Sequence, residues 1–127
     1  MPKITISAHD APAAIGPYSH AVKVGNLILV SGQLGLDSVT GLMVEGDIVA
    51  QTKQAMINLR AVLRAGGTSL DNVVKTTVFI TDMDRFGDVN AVYEAYMGQN
   101  KPARSCIEVA RLPRGGLVEV EAIALVE

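Results

Sequence analysis

The residues best equipped for chemistry lie near the C-terminus. Across 117–126, Val118, Val120, Ala122, Ala124 and Val126 alternate with Leu117, Glu119, Glu121, Ile123 and Leu125. Read as a strand, this alternation sets two carboxylates on a face that is otherwise apolar, opposite a face that is wholly apolar. Across 103–110, Arg104, Cys106 and Glu108 share one face while Ile107 and Val109 share the other. A guanidinium beside carboxylates in a partly apolar cleft could hold a substrate carboxylate bidentately and orient a water. The simpler alternative is structural, an ion pair from Arg104 to Glu119 or Glu121 across neighbouring strands.

Other candidates are weaker one by one. Cys106 is the only cysteine, and His9 and His20 are the only histidines that could serve it as a base. A lone cysteine is more often a small buried hydrophobe than a nucleophile. Ser31-Gly32-Gln33-Leu34-Gly35 lacks the Lys-Ser/Thr ending of a phosphate loop. Gly32 could still let a small ligand approach backbone N–H groups, with the Ser31 hydroxyl beside it. Tyr18, after Gly16-Pro17, reads as a lid residue or a surface aromatic, and Asn90 falls off the apolar stripe of its helix, where solvent exposure is expected. One cysteine and two separated histidines offer no recognisable metal-ligand set, so no metal is expected.

The elements that must position these groups can be read from periodicity. Strands are predicted at 3–7, 20–24 and 27–31, the last two flanking a Gly25-Asn26 turn, with a loop from Gly32 to Gly46. Val49, Thr52, Met56, Leu59 and Leu63 recur at helical spacing, with Asp47 as N-cap and Gly66-Gly67 as stop. The β-branched run 73–81 reads as a strand buried inside the sheet. A second helix is expected to be capped by Asp84, to share a face of Val89, Val92, Tyr93, Tyr96 and Met97, and to end at Gly98. With strands at 103–110 and 117–126 the order is βββαβαββ, an α+β architecture with two helices covering one face of a single sheet. The 127 residues suit one domain, spanning 1–127. A net charge of −2 without basic clusters argues against nucleic-acid or membrane binding. The first residues lack the apolar core of a signal peptide, and no apolar run approaches the roughly 20 residues of a membrane helix. A soluble, cytoplasmic protein is expected.

Several segments together closely resemble the RidA (YjgF) family. They are Ala14-Ile-Gly-Pro-Tyr-Ser-His-Ala21, Val30-Ser-Gly-Gln-Leu-Gly35, Asn72-Val-Val-Lys-Thr-Thr-Val-Phe79, Pro102-Ala-Arg-Ser-Cys-Ile-Glu-Val-Ala-Arg-Leu-Pro113 and Val118-Glu-Val-Glu-Ala-Ile-Ala124, colinear over essentially the whole chain. The resemblance implies a chorismate-mutase-like fold and a homotrimer whose sheets form a central barrel with clefts between subunits. It also implies cofactor-free hydrolysis of 2-aminoacrylate and 2-aminocrotonate, or their imine tautomers, to 2-keto acids and ammonia. These imines are released by PLP-dependent dehydratases. By the same resemblance Arg104 holds the substrate carboxylate, Glu119 positions the hydrolytic water, and Cys106, Tyr18, Ser31, Gly32 and Asn90 line the cleft, with Cys106 counted beside Arg104 and Glu119 as a catalytic candidate. It places a further strand between those of Arg104 and Glu119, so their convergence could need a neighbouring subunit. The Gly98–Lys101 connection is shorter than in many relatives, and Lys101 stands where an aromatic residue is frequent, which bears on cleft width. Some relatives resemble RNA-cleaving translation inhibitors or oxidation-activated holdases, and these are the competing functions.

Overall fold

The computed structural model describes residues 2–126. Its elements follow the expected order: β1 (Lys3–Ile6), β2 (Ala21–Val24), β3 (Leu27–Leu34), α1 (Ile48–Ala65), β4 (Val73–Ile80), α2 (Phe86–Met97), β5 (Ala103–Glu108) and β6 (Val118–Leu125). The six strands form one mixed sheet in the order β1-β2-β3-β6-β4-β5, antiparallel except for the parallel pair β4–β5. Both helices lie on one face, giving the α+β architecture read from the sequence.

Alternation along the strands explains the layering. Ile28 and Val30 pair with Ala124 and Ala122, and Val78 and Ile80 pair with Val120 and Val118, so all eight side chains leave one face of the sheet. They are buried against Met56, Leu59, Val62 and Leu63 of α1 and Val89, Tyr93 and Met97 of α2. Strand β4 lies inside the sheet as predicted, but only alternate residues of it are fully buried. Its hydrophobic run suggested cover on both faces. In the subunit the second sheet face is open, leaving Leu29 43% and Ile107 45% exposed. No helix is long and apolar enough to cross a membrane among the described residues.

Asp47 caps α1 as expected, its carboxylate accepting from the N–H groups of Val49 and Ala50. At the other end Gly67 adopts φ 84° and the Thr68 N–H returns to the Leu63 carbonyl at 3.0 Å, closing the helix. Two local expectations are corrected. Asp84 does not cap α2, because a short 3-10 turn at Met83–Arg85 intervenes, and Asp82 caps that turn by accepting from the Asp84 N–H. Arg85 then leads into α2 and pairs with Asp88 at 2.7 Å. The loop expected from Gly32 begins later, because β3 continues to Leu34 through a bulge. Val30 pairs with Ala122 and Gln33 with Val120, so Ser31 and Gly32 together oppose Glu121. The extra residue hid the continuation of the strand, since it shifts the alternation on which the sequence reading relied.

Buried polar side chains fasten α1 to the strand ends nearest the bulge. The Asn58 side-chain amide donates to the Leu34 and Leu36 carbonyls, each at 2.9 Å, and its oxygen accepts from Gln54. Gln51 accepts from the Leu117 N–H at 2.8 Å, just before β6 begins. The backbone on both sides of Glu119 is thus fixed to the long helix.

Candidate active site

Glu119 sits on the open face of β6, opposite the helices, at one wall of a cavity of about 590 Å³. Tyr18, Ser31, Gly32, Pro113 and Arg114 line the same cavity. Its carboxylate lies directly over Gly32, where a Cβ would stand 2.6 Å from Oε2 and 2.7 Å from Cδ. Only glycine leaves room for it. Burial pushes the Glu119 carboxyl above the usual carboxylate range, and the neighbouring charge of Glu121 pushes it further. A carboxylate so placed is a better proton acceptor than an ordinary glutamate.

The segment leading to Tyr18 is tied to the bulge by hydrogen bonds. The Ser31 hydroxyl donates to the Ser19 carbonyl at 2.6 Å, and the Ser31 N–H donates to the His20 carbonyl at 3.0 Å. His20 is buried. Its Nδ1 accepts from the Ala8 N–H at 2.9 Å, which leaves Nε2 as the protonated nitrogen donating to the Pro12 carbonyl at 2.7 Å. Both ring nitrogens are engaged with backbone, so His20 holds the loop rather than serving as a base. Tyr18 itself is half exposed at the cavity rim.

Arg104 lies elsewhere. Its register partner on β4 is Thr76, which is buried on the helix-covered face, and its Nη1 donates to Asn90 Oδ1 on α2 at 2.7 Å. The guanidinium carbon stands 4.8 Å from the centre of the Tyr93 ring and 5.3 Å from that of Phe86. Asn90, Tyr93, Lys101, Pro102 and Arg104 line a second cavity of about 490 Å³. Asn90 was expected to face solvent. It is half-buried instead, because Phe86, Asn90 and Tyr93 fall at i, i+4 and i+7 and form the stripe of α2 that meets Arg104. That spacing was the signal for Tyr93 and Phe86, which the sequence reading did not count among the site residues.

Cys106 follows Arg104 on the same face, opposite Val78, partly buried against the core. Burial pushes its thiol up, and the Arg104 charge opposes that without reversing it. That direction is opposite to the depressed thiol of an activated nucleophile.

Six of the seven expected residues thus divide into two groups, and Cys106 lines neither cavity. Tyr18, Ser31, Gly32 and Glu119 share one cavity, while Asn90 and Arg104 share the other. Strand β4 separates β5 from β6, and Glu119 pairs with Phe79 on one sheet face whereas Arg104 pairs with Thr76 on the other. The ion pair between Arg104 and Glu119 or Glu121 is consequently not formed. Among the described residues the ion pair present is Arg85–Asp88, and no cluster of three His, Cys, Asp or Glu side chains could hold a metal.

Residues 8–126 match the family described as Endoribonuclease L-PSP. The chain belongs to this family. Among the L-PSP relatives, a RutC family protein of Pyrococcus abyssi is 50% identical over 127 residues, covering the whole of both chains. The mouse (Mus musculus) 2-iminobutanoate/2-iminopropanoate deaminase is 52% identical over 120 residues, or 94% of this chain and 89% of that protein. In three dimensions the chain is similar to the YjgF gene product of E. coli, with a TM-score of 0.91 and 45% identity over 98% of this chain and 99% of the other. The resemblance to RidA (YjgF) proteins is borne out by these L-PSP family relatives.

Proposed function

We propose that this protein hydrolyses 2-imino acids, the tautomers of 2-aminoacrylate and 2-aminocrotonate, to 2-keto acids and ammonium. The observation that carries the reading is the state of Arg104: a guanidinium met by the neutral Asn90, Tyr93 and Phe86 and, among the described residues, in no ion pair, so that its charge is left for a ligand. A carboxylate is the ligand that matches its planar fork. Support also comes from relatives named 2-iminobutanoate/2-iminopropanoate deaminase at 46–52% identity.

The reaction uses few groups. An α-iminium acid presents a carboxylate beside an electrophilic carbon, so gripping the carboxylate fixes that carbon. Glu119 accepts a proton as water adds to the carbon, and that proton goes to the departing nitrogen. The C=N bond is replaced by C=O, and iminium plus water becomes ketone plus ammonium. Neither step requires a metal or an organic cofactor. Tyr18, Ser31, Gly32 and Asn90 shape the cleft, and Cys106 follows Arg104 on the same face of its strand.

Because Arg104 and Glu119 leave opposite faces of the sheet, one chain cannot bring both to a single small substrate. The site is therefore shared, Arg104 of one subunit meeting Glu119 of the next, in a homotrimer whose open sheet faces turn inward. Exposed Leu29, Ile107 and Leu125 on that face favour such burial. Sedimentation as a monomer at micromolar concentration would exclude the shared site.

The decisive experiment couples a PLP-dependent threonine or serine dehydratase to this protein and follows conversion of the released imine to keto acid. Faster conversion, lost with Arg104→Ala, is expected. The family's description favours one other activity, RNA cleavage. Salt-sensitive RNA cleavage without imine hydrolysis would replace the deaminase reading with that one. The chain's net charge of −2 gives a phosphate backbone little to hold.

A further inference from the structure

An exposed arginine has many rotamers, and a single hydrogen bond to Asn90 does not select one. Something else must hold Arg104 if it is to meet a substrate in a fixed orientation. Thr76 and Arg104 are register partners on β4 and β5, so their side chains emerge side by side on the helix-covered face. The Thr76 hydroxyl is fully buried and meets the Tyr93 hydroxyl at 2.7 Å. Tyr93 is itself only 7% exposed. With its hydroxyl engaged by Thr76, the ring is what it offers to the guanidinium, 4.8 Å away.

We propose that Tyr93 is a positioning residue for Arg104: its ring, latched through its hydroxyl to Thr76, is the floor that holds the guanidinium ready for a substrate carboxylate. The inference rests on the proposed role of Arg104 and adds how that role is maintained. An aromatic ring suits the task better than a carboxylate. A glutamate in its place would fix the guanidinium equally well, but it would neutralise the charge and occupy the N–H donors that the substrate needs. A ring attracts the cation through its quadrupole and accepts none of those strong in-plane hydrogen bonds. Asn90 uses one of the five donors, and Phe86 extends the aromatic surface at 5.3 Å.

A merely structural Tyr93 would affect stability and leave the arginine alone, so the test reads Arg104 directly. Nitrogen relaxation of the Arg104 Nε–Hε group is measured in the wild-type protein and in Tyr93→Leu, together with imine hydrolysis by the folded fraction. The expected result is an order parameter near the rigid value of about 0.85 in the wild type and below about 0.6 in Tyr93→Leu, with the other arginines unchanged. Alongside it, kcat/KM falls about tenfold, and the fall disappears when the substitution is made in an Arg104→Ala background. An equally ordered Arg104 in folded Tyr93→Leu overturns the proposal. Should that variant not fold, the Thr76→Val, Tyr93→Phe double variant releases the latch without orphaning a hydroxyl. Loosening of Arg104 there supports the proposal, and unchanged order overturns it. A wild-type protein without imine hydrolysis would refute the proposed function only, because the relaxation measurement judges the floor independently.

Discussion

The Glu119 carboxylate occupies the space that a side chain at Gly32 would fill, with Oε2 2.6 Å from the position of the missing Cβ. The obstructing atoms belong to the end of a flexible side chain, so a methyl group there can be accommodated by swinging Glu119 aside. Gly32→Ala is therefore expected to fold, with stability changed by no more than about 1–2 kcal/mol, yet to lose most of its imine hydrolysis. Thermal unfolding and turnover measured on the same preparation check this. Normal turnover would show that the position of Glu119 over the bulge is irrelevant to the chemistry.

Glu119→Gln separates catalysis from stability. If Glu119 accepts the proton of the attacking water, kcat falls by roughly 10²–10⁴-fold while keto-acid product still binds. The effect on stability has the opposite sign. Burial and Glu121 raise the folded-state pKa of Glu119 above its unfolded value, so the folded chain binds more protons between the two, and stability falls as pH rises through that window. Above it, the charged carboxylate is a cost that glutamine removes. Subunit denaturation followed against pH should show Glu119→Gln at least as stable as wild type at neutral pH, with the difference shrinking as pH falls below the ordinary glutamate range.

Arg104→Lys tests whether shape or charge matters on the other side. Lysine keeps the positive charge but lacks the planar fork, and an ammonium stacks less well over the Tyr93 and Phe86 rings. A fall in kcat/KM of at least about tenfold is expected despite the unchanged charge. Steady-state kinetics with the dehydratase-coupled assay would reveal it, and full activity would reduce Arg104 to a source of electrostatic attraction.

Asn58→Ala addresses the support of the site. Its amide serves the Leu34 and Leu36 carbonyls from a fully buried position, and removal leaves both without that donor. A loss of about 2–4 kcal/mol is expected from the broken bonds and the cavity together. A lower urea midpoint with an unchanged slope would measure it.

Much of this was legible in the sequence because it depends on local rules. Asp47, Gly67 and the helical spacing of Met56, Leu59 and Leu63 fix α1 whatever surrounds it, and the alternation of 118–126 fixes which side of β6 carries Glu119. What escaped was non-local. Inserting β4 between β5 and β6 cannot be inferred from either strand's own residues and rested on the family resemblance alone. The bulge at Ser31-Gly32 breaks the two-residue period, so the alternation stops there while the strand continues in the other phase. Asn90 looked solvent-facing because it lies beside the most hydrophobic stripe of α2, and its partner sits on a strand read separately.

The opposed directions of Arg104 and Glu119 carry a genetic consequence. If each site takes its guanidinium from one chain and its carboxylate from another, then two defective alleles, one encoding Arg104→Ala and the other Glu119→Gln, need not be defective together. Random mixing of the two chains gives one interface in four an intact arginine facing an intact glutamate, so a cell carrying both should recover part of the activity that neither supplies alone.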